Sequence, residues 1–208
     1  MKRPNTSRRR LLLGVLSGLG SLVFAGRSNA AVATPKTTAG PYYPEPNMRT
    51  PDIDNDLVKI VGKVKCVGGE IVTLRGTIFD KNGTPRAGHR VEIWQCDVDG
   101  NYMHTLDPRS VDFDPAFQGF GQDITDENGQ YVFRTIKPTI YPGRTPHIHM
   151  KVFDGTREIL TTQFYIKDHP NNARDGLFNR MSNKQAQAVS MEFKRRNGGV
   201  EADMDVYV

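Results

Sequence analysis

Cysteine is scarce in this chain, with two in 208 residues, at Cys66 and Cys96. That excludes the dense disulfide framework of small exported scaffolds and leaves room for one bridge, which depends on a Cα separation that sequence does not give. Cys96, two residues after Trp94 in a strand-like run, reads as a buried inert thiol. Cys-x-x-Cys, His-Glu-x-x-His and EF-hand spacings are missing, so the usual sequence signatures of zinc and calcium sites are excluded. Long apolar runs are missing too. The best one, about 15 residues ending at Ala25, falls short of the roughly 20 that span a bilayer.

Away from the first residues the chain also lacks an excess of one charge. The segment Ser7-Arg-Arg-Arg-Leu-Leu-Leu13 resembles a twin-arginine export signal, so residues 1–30 read as a leader, with small-residue cleavage candidates at Ser28-Asn-Ala30 and Ala31-Val-Ala33. Six of the 28 basic residues lie in it (Lys2, Arg3, Arg8, Arg9, Arg10, Arg27) and no acidic one, leaving 22 basic against 23 acidic. The mature protein is then near neutral. It carries no basic stripe for nucleic acid, and no stable membrane anchor is expected once the leader is gone. The expected location is periplasmic or extracellular. About 175 residues remain, enough for one domain with a real core.

Residues 31–69, rich in Pro, Thr, Asn and Asp, read as an extended arm wrapping a domain that occupies residues 70–208. Short β-rich runs follow between turn signals: Ile71 to Asp80 before Asn82-Gly83, Arg90 to Gln95 before Asp99-Gly100, Tyr131 to Ile136 after Asn128-Gly129, Ile148 to Asp154 before Gly155, then Ile159 to Ile166. That rhythm predicts an all-β sandwich. Residues 167–181 read as loop, Ser182 to Arg196 as a short C-terminal helix capped by Ser182 or Asn183, and Glu201 to Val208 as a last strand.

The densest chemistry lies in Tyr141-Pro-Gly-Arg-Thr-Pro-His-Ile-His149. Residues two apart on a strand share a face, so His147 and His149 can reach one ion, although a His-x-His pair alone also occurs as paired surface histidines. Tyr102, after the Asp99-Gly100 turn, offers a second phenol beside Tyr141. Zinc favours His, Cys and carboxylate, whereas a phenolate is a hard anionic donor suited to iron(III). His89, His104 and His169 have no partners at ligand spacing and are expected at the surface, with His104, a neighbour of Tyr102, the first candidate for an exception.

These residues resemble the intradiol ring-cleavage dioxygenases, which include protocatechuate 3,4-dioxygenase and catechol 1,2-dioxygenase. The resemblance spans residues 35–166 in five ordered blocks: Thr38-Ala-Gly-Pro-Tyr-Tyr-Pro44, Gly88-His-Arg-Val-Glu-Ile-Trp-Gln-Cys-Asp97 leading to Tyr102, Thr125 to Pro138, Tyr141 to His149, and Thr162-Gln163. It implies a transthyretin-like sandwich and one iron(III) per site, held by Tyr102, Tyr141, His147 and His149. It also implies Arg144 and Gln163 as active-site groups, with Tyr141 the ligand that gives way to substrate. Pro41, Tyr42 and Tyr43 are implied at the pocket mouth. The implied partners are a small aromatic diol and dioxygen, the product a cis,cis-muconate-type diacid, and the assembly a homo- or hetero-oligomer. The loop from Tyr141 to His147 is shorter than in the well-known members and Gly143 replaces a bulky residue, so substrate choice is not implied. Two rival readings are a zinc hydrolase adding Asp123 or Asp126 to the histidines and a non-enzymatic exported binding module. Neither accounts for Tyr102, Tyr141, Arg144 and Gln163 together.

Overall fold

A computed structural model describes residues 32–63, 65–196 and 198–208; the export leader assigned to residues 1–30 lies outside them. Among the described residues, ten strands and one short α-helix follow the arm: β1 Ile71–Phe79, β2 Arg90–Trp94, β3 Phe120–Ile124, β4 Gln130–Ile136, β5 His147–Asp154, β6 Arg157–Ile166, α1 Asn183–Ala188, β7 Ser190–Met191, β8 Lys194–Arg196, β9 Gly199–Asp203 and β10 Val206–Tyr207. They form two five-stranded sheets. In the first, β1 runs antiparallel to β4 and parallel to β9 and β10, with β8 beyond β9. The second has the order β3-β2-β5-β6-β7.

Period-two alternation decides which residues fill the space between the sheets. Val91 and Ile93 of β2 and Ile148, Met150 and Val152 of β5 point into a core shared with Leu74, Ile78 and Phe133 of the first sheet. The alternate residues, Glu92 and Trp94 on β2 and His147 and His149 on β5, therefore lie on the outer face of the second sheet. The arm covers that face. It first runs along the edge of β6, where Thr37 N–H donates to Thr161 O at 2.9 Å and Thr162 Oγ1 to Pro35 O at 2.8 Å, and then crosses the face, where Tyr43 Oη donates to buried Glu92 at 2.6 Å. A second apolar cluster forms there from Trp94, Cys96, Tyr102 and Phe120, with Ala39, Tyr42, Tyr43 and Tyr141 packed on it.

Several expectations need correction. The helix stops at Ala188 rather than Arg196, because Val189 is fully buried and its carbonyl accepts from Tyr165 N–H at 2.8 Å, pulling the chain into β7. Its start is as expected, with a capping box between Ser182 and Gln185. Strand β3 was not expected. Gly121 lets it press on the arm, since a Cβ there would meet Asp54 O at 2.8 Å. His89 and His104 are buried, at 5% and 7% exposure, not surface histidines. Cys66 is exposed and Cys96 buried, both free.

Loops on this side are pinned by carboxylates. Burial alone would raise the Asp114 carboxyl, but N–H groups of Gly68 and Ala116 at 2.9 Å and the Lys65 ammonium outweigh it and hold the pKa below the ordinary 3.8. A group depressed by folding stabilises fully above its unfolded value, and that stability is lost as pH falls through the folded one. Thermal melts across pH 2–6 are therefore expected to show stability declining once pH passes below about 3.8, with Asp114→Asn removing part of that slope.

Candidate metal centre

Trp94, His149 and Gln163 form one row across β2, β5 and β6, since Trp94 pairs with His149 and His149 with Gln163. Directly opposed residues share a face, so the histidine sits between an indole and an amide. Its imidazole stacks on Trp94 with centroids 4.6 Å apart and planes 7° from parallel.

His147 and His149 turn their Nε2 atoms toward each other at 3.1 Å. Two nitrogens bound to one ion at about 2.1 Å each would have such a separation. His147 Nδ1 lies 2.7 Å from Thr145 O, a contact that assigns its proton to Nδ1 and its lone pair to Nε2. Burial first, then the Arg144 charge, lowers its pKa to about 4. Burial, His147 and Arg144 push His149 well below its ordinary value. Both rings are neutral at pH 7, the state that binds metals.

The phenols arrive from two loops. Gly100, with φ of +81°, closes the turn after β2 where a Cβ would meet Ile140 O at 2.5 Å, so only glycine lets the Tyr102 and Tyr141 segments come this close. Tyr102 N–H is held by Asp107 Oδ2 at 2.9 Å. Its ring is 3% exposed and meets Tyr141 edge-on at 5.4 Å, with His149 at 6.4 Å. The ring of Tyr141 lies 5.5 Å from that of His147. Pro142 and Gly143 (φ +80°) occupy the central positions of a turn closed by Arg144 N–H to Tyr141 O at 3.1 Å, the residue pattern of a type II turn. This short turn brings Arg144 Nη1 to 3.3 Å from the Tyr141 hydroxyl.

Arg144 is held on its other edges as well. Nε donates to Asp175 Oδ2 at 2.7 Å and Nη2 to Gln163 Oε1 at 2.6 Å. Gln163 Oε1 also accepts from Tyr165 Oη at 2.9 Å, while its Nε2 donates to Thr38 O at 2.9 Å, which ties the site to the arm. Tyr42 stacks on Tyr102 at 4.7 Å and reaches Tyr141 at 6.2 Å. Tyr43 instead packs edge-on against Trp94 at 4.9 Å and bonds Glu92, and Pro41 is exposed. Of the three arm residues, Tyr42 is the one in contact with the tyrosine pair. Asp175 and Tyr165 had no sequence signal, because loop and register bring them in from far along the chain.

The donor set fits a metal ion. Two neutral imidazoles bring their Nε2 atoms together, the buried Tyr102 hydroxyl has no hydrogen-bond partner, and an unsatisfied buried polar atom is costly. Among the described residues, no group of three or more His, Cys, Asp or Glu could hold a metal. The donors that stand beside the two histidines are phenols, with the Tyr141 ring 5.5 Å from that of His147 and the Tyr102 ring 6.4 Å from that of His149. Asp123 and Asp126 accept backbone N–H bonds from Val132 and from Asn128 and Gln130, and Asp123 pairs with Val91, three positions along β2 from the residue opposite His149. A cavity of about 250 Å³ opens on the loop side of Tyr141 and Arg144, lined also by Ile140, Thr145, Arg174 and Asp175; Tyr102, His147 and His149 are not part of its lining. Larger clefts, such as one of about 760 Å³ around Arg75, Asp123 and Asp203, contain none of these donors.

Comparison with known proteins gives consistent matches. A family model described as Dioxygenase matches residues 38–204. The protocatechuate 3,4-dioxygenase beta chain of Burkholderia cepacia is 38% identical over 136 residues, covering 61% of this chain and 57% of that protein. Catechol 1,2-dioxygenase of Acinetobacter baylyi is 33% identical over 168 residues, 66% of this chain and 48% of that one. This chain thus spans about half of the curated relatives it matches. The dioxygenase domain of a carbohydrate-binding fusion protein from Streptomyces sp. SirexAA-E superposes with a TM-score of 0.64 at 30% identity, covering 85% of this chain and 98% of that domain.

Proposed function

The chain belongs to the intradiol ring-cleavage dioxygenase family, and from that premise we propose that it opens a catechol-type ring with dioxygen at a non-haem iron(III) held by Tyr102, Tyr141, His147 and His149. The observation that carries this reading is the convergence of two neutral imidazoles and two phenols, one of them a buried hydroxyl with no other partner. Iron(III) would supply the electron-accepting centre that lifts the spin barrier between a singlet diol and triplet dioxygen.

The residues do the rest. Burial raises both tyrosine pKa values, most of all that of Tyr102, so each phenol gives up its proton only to a strong cationic field. Tyr141 is the more exposed of the two, borders the cavity and has the Arg144 guanidinium at its hydroxyl. Tyr141 Oη is therefore the phenol oxygen placed to take a diol proton, while buried Tyr102 would serve as the fixed donor to iron. Arg144 aims Nη1 at the same place and stabilises negative charge that builds on the ring during oxygen attack. Gln163 keeps the guanidinium in place from the arm side, while Trp94 and Tyr42 pack around His149 and Tyr102 and keep water out.

The test is oxygen uptake with catechol, protocatechuate and hydroxyquinol as a panel, using ¹⁸O₂. Equimolar oxygen consumption, with both labelled atoms in a ring-opened diacid, is the expected result for at least one diol. Uptake that yields hydrogen peroxide and a quinone from every diol would contradict the proposal. Export through a leader at residues 1–30 is part of the same reading, and N-terminal sequencing of the mature protein from the periplasm or medium tests it.

A further inference from the structure

The steps above leave unused a carboxylate that touches the arginine. Asp175 is 1% exposed and closes the 3-10 turn Pro170–Arg174. Its Oδ1 accepts from Leu177 N–H at 2.9 Å and Phe178 N–H at 3.0 Å, while Oδ2 accepts from Arg144 Nε at 2.7 Å and Thr145 N–H at 3.1 Å. Backbone donors therefore fix the carboxylate before it meets the guanidinium. A guanidinium is planar, so holding Nε and Nη2 determines where Nη1 points. Here Nη2 is held by Gln163 and Nη1 faces the Tyr141 hydroxyl at 3.3 Å.

We propose that Asp175 is a positioning residue for the reaction, whose backbone-anchored carboxylate holds the Nη1 edge of Arg144 toward the reacting diol. The proposal rests on the role given to Arg144 above. Two effects of Asp175 oppose each other. Its negative charge offsets part of the field Arg144 sends into the cavity, and its bond removes the rotation about Cδ–Nε. The geometry favours the second: with Asp175 gone, Gln163 is the one remaining strong side-chain anchor and the plane can turn about it. An amide does not substitute, because its NH₂ must face either Arg144 Nε and Thr145 N–H or Leu177 and Phe178 N–H, donor against donor.

The test is a double-mutant cycle on the full-length, iron-loaded protein, using whichever of catechol, protocatechuate and hydroxyquinol the wild type turns over fastest. Wild type, Asp175→Asn, Arg144→Ala and the double variant are compared for kcat, iron content, melting temperature and anaerobic Kd for the same diol. Asp175→Asn is expected to lower kcat by about 10–100-fold, with iron content and anaerobic Kd nearly unchanged. In the Arg144→Ala background it should cost no more than about 2-fold. An equal loss in both backgrounds, or a kcat kept or raised in Asp175→Asn, overturns the positioning role. If Arg144→Ala itself leaves kcat intact, the role of the arginine fails first and takes this one with it. Should Asp175→Asn not fold, Arg144→Lys carries the test, since lysine keeps the charge but cannot bond Asp175, Gln163 and Tyr141 from one rigid plane. It is expected to lose kcat to a similar extent, and a wild-type rate in it overturns the proposal.

Discussion

Tyr102→Phe is expected to melt at a higher temperature than the wild type when both are stripped of metal, and to bind iron(III) more than about 100-fold more weakly. The two halves of this prediction have one cause. The Tyr102 hydroxyl is buried without a hydrogen-bond partner, and an unsatisfied buried hydroxyl costs about 1–3 kcal/mol. Removing a single oxygen leaves the ring packing with Tyr42, Tyr141 and His149 in place. In a domain of this size the gain corresponds to roughly 2–12 °C. A tyrosine kept for packing would lose or keep stability on this change and leave metal binding alone. Differential scanning calorimetry of the metal-free proteins and iron titration of each decide between the two.

Arg144→Ala is expected to lower kcat by about 100- to 1,000-fold, the cost of deleting one preorganised donor aimed at developing charge. Iron stoichiometry should stay near the wild-type value, since none of the four donors is removed. Stability falls as well. The change leaves the buried Asp175 carboxylate without its cation, which for a buried pair costs about 3–5 kcal/mol; N–H groups of Thr145, Leu177 and Phe178 that still bond it place the loss at the lower end. Steady-state kinetics below the lowered melting point separate the two effects. Loss of iron together with activity would assign Arg144 to holding the site instead.

The paired histidines were legible because a strand repeats every two residues, and the structure puts both rings on one face. The sequence showed the Tyr141 to His147 loop to be short, but the turn at Pro142-Gly143 and its consequence, a guanidinium folded back onto Tyr141, needed coordinates. Gln163 entered through the family resemblance alone, and the register that opposes it to His149 supplies the physical reason. Asp175 carried no local signal: it sits in a polar run of short turns, and its meaning comes from a bond across 31 positions of chain. The fold followed the same division. Strands with clear alternation were found, whereas β3, with glycine and polar residues in Phe-Gly-Gln-Asp-Ile, is held by the arm and by pairing with β2 rather than by its own preference. The C-terminal segment had helical composition as far as Arg196, but burying Val189 and pairing β7 with β6 overrode it after Ala188.

The central claim is that Tyr102 and Tyr141 are metal ligands alongside His147 and His149. The most direct measurement is the visible absorption spectrum of the purified protein loaded with iron(III), taken before and after anaerobic addition of catechol. A red-brown phenolate-to-iron(III) band that moves to longer wavelength with the diol is the predicted result. Protein that stays colourless after iron loading, with the diol leaving its spectrum unchanged, would contradict the assignment.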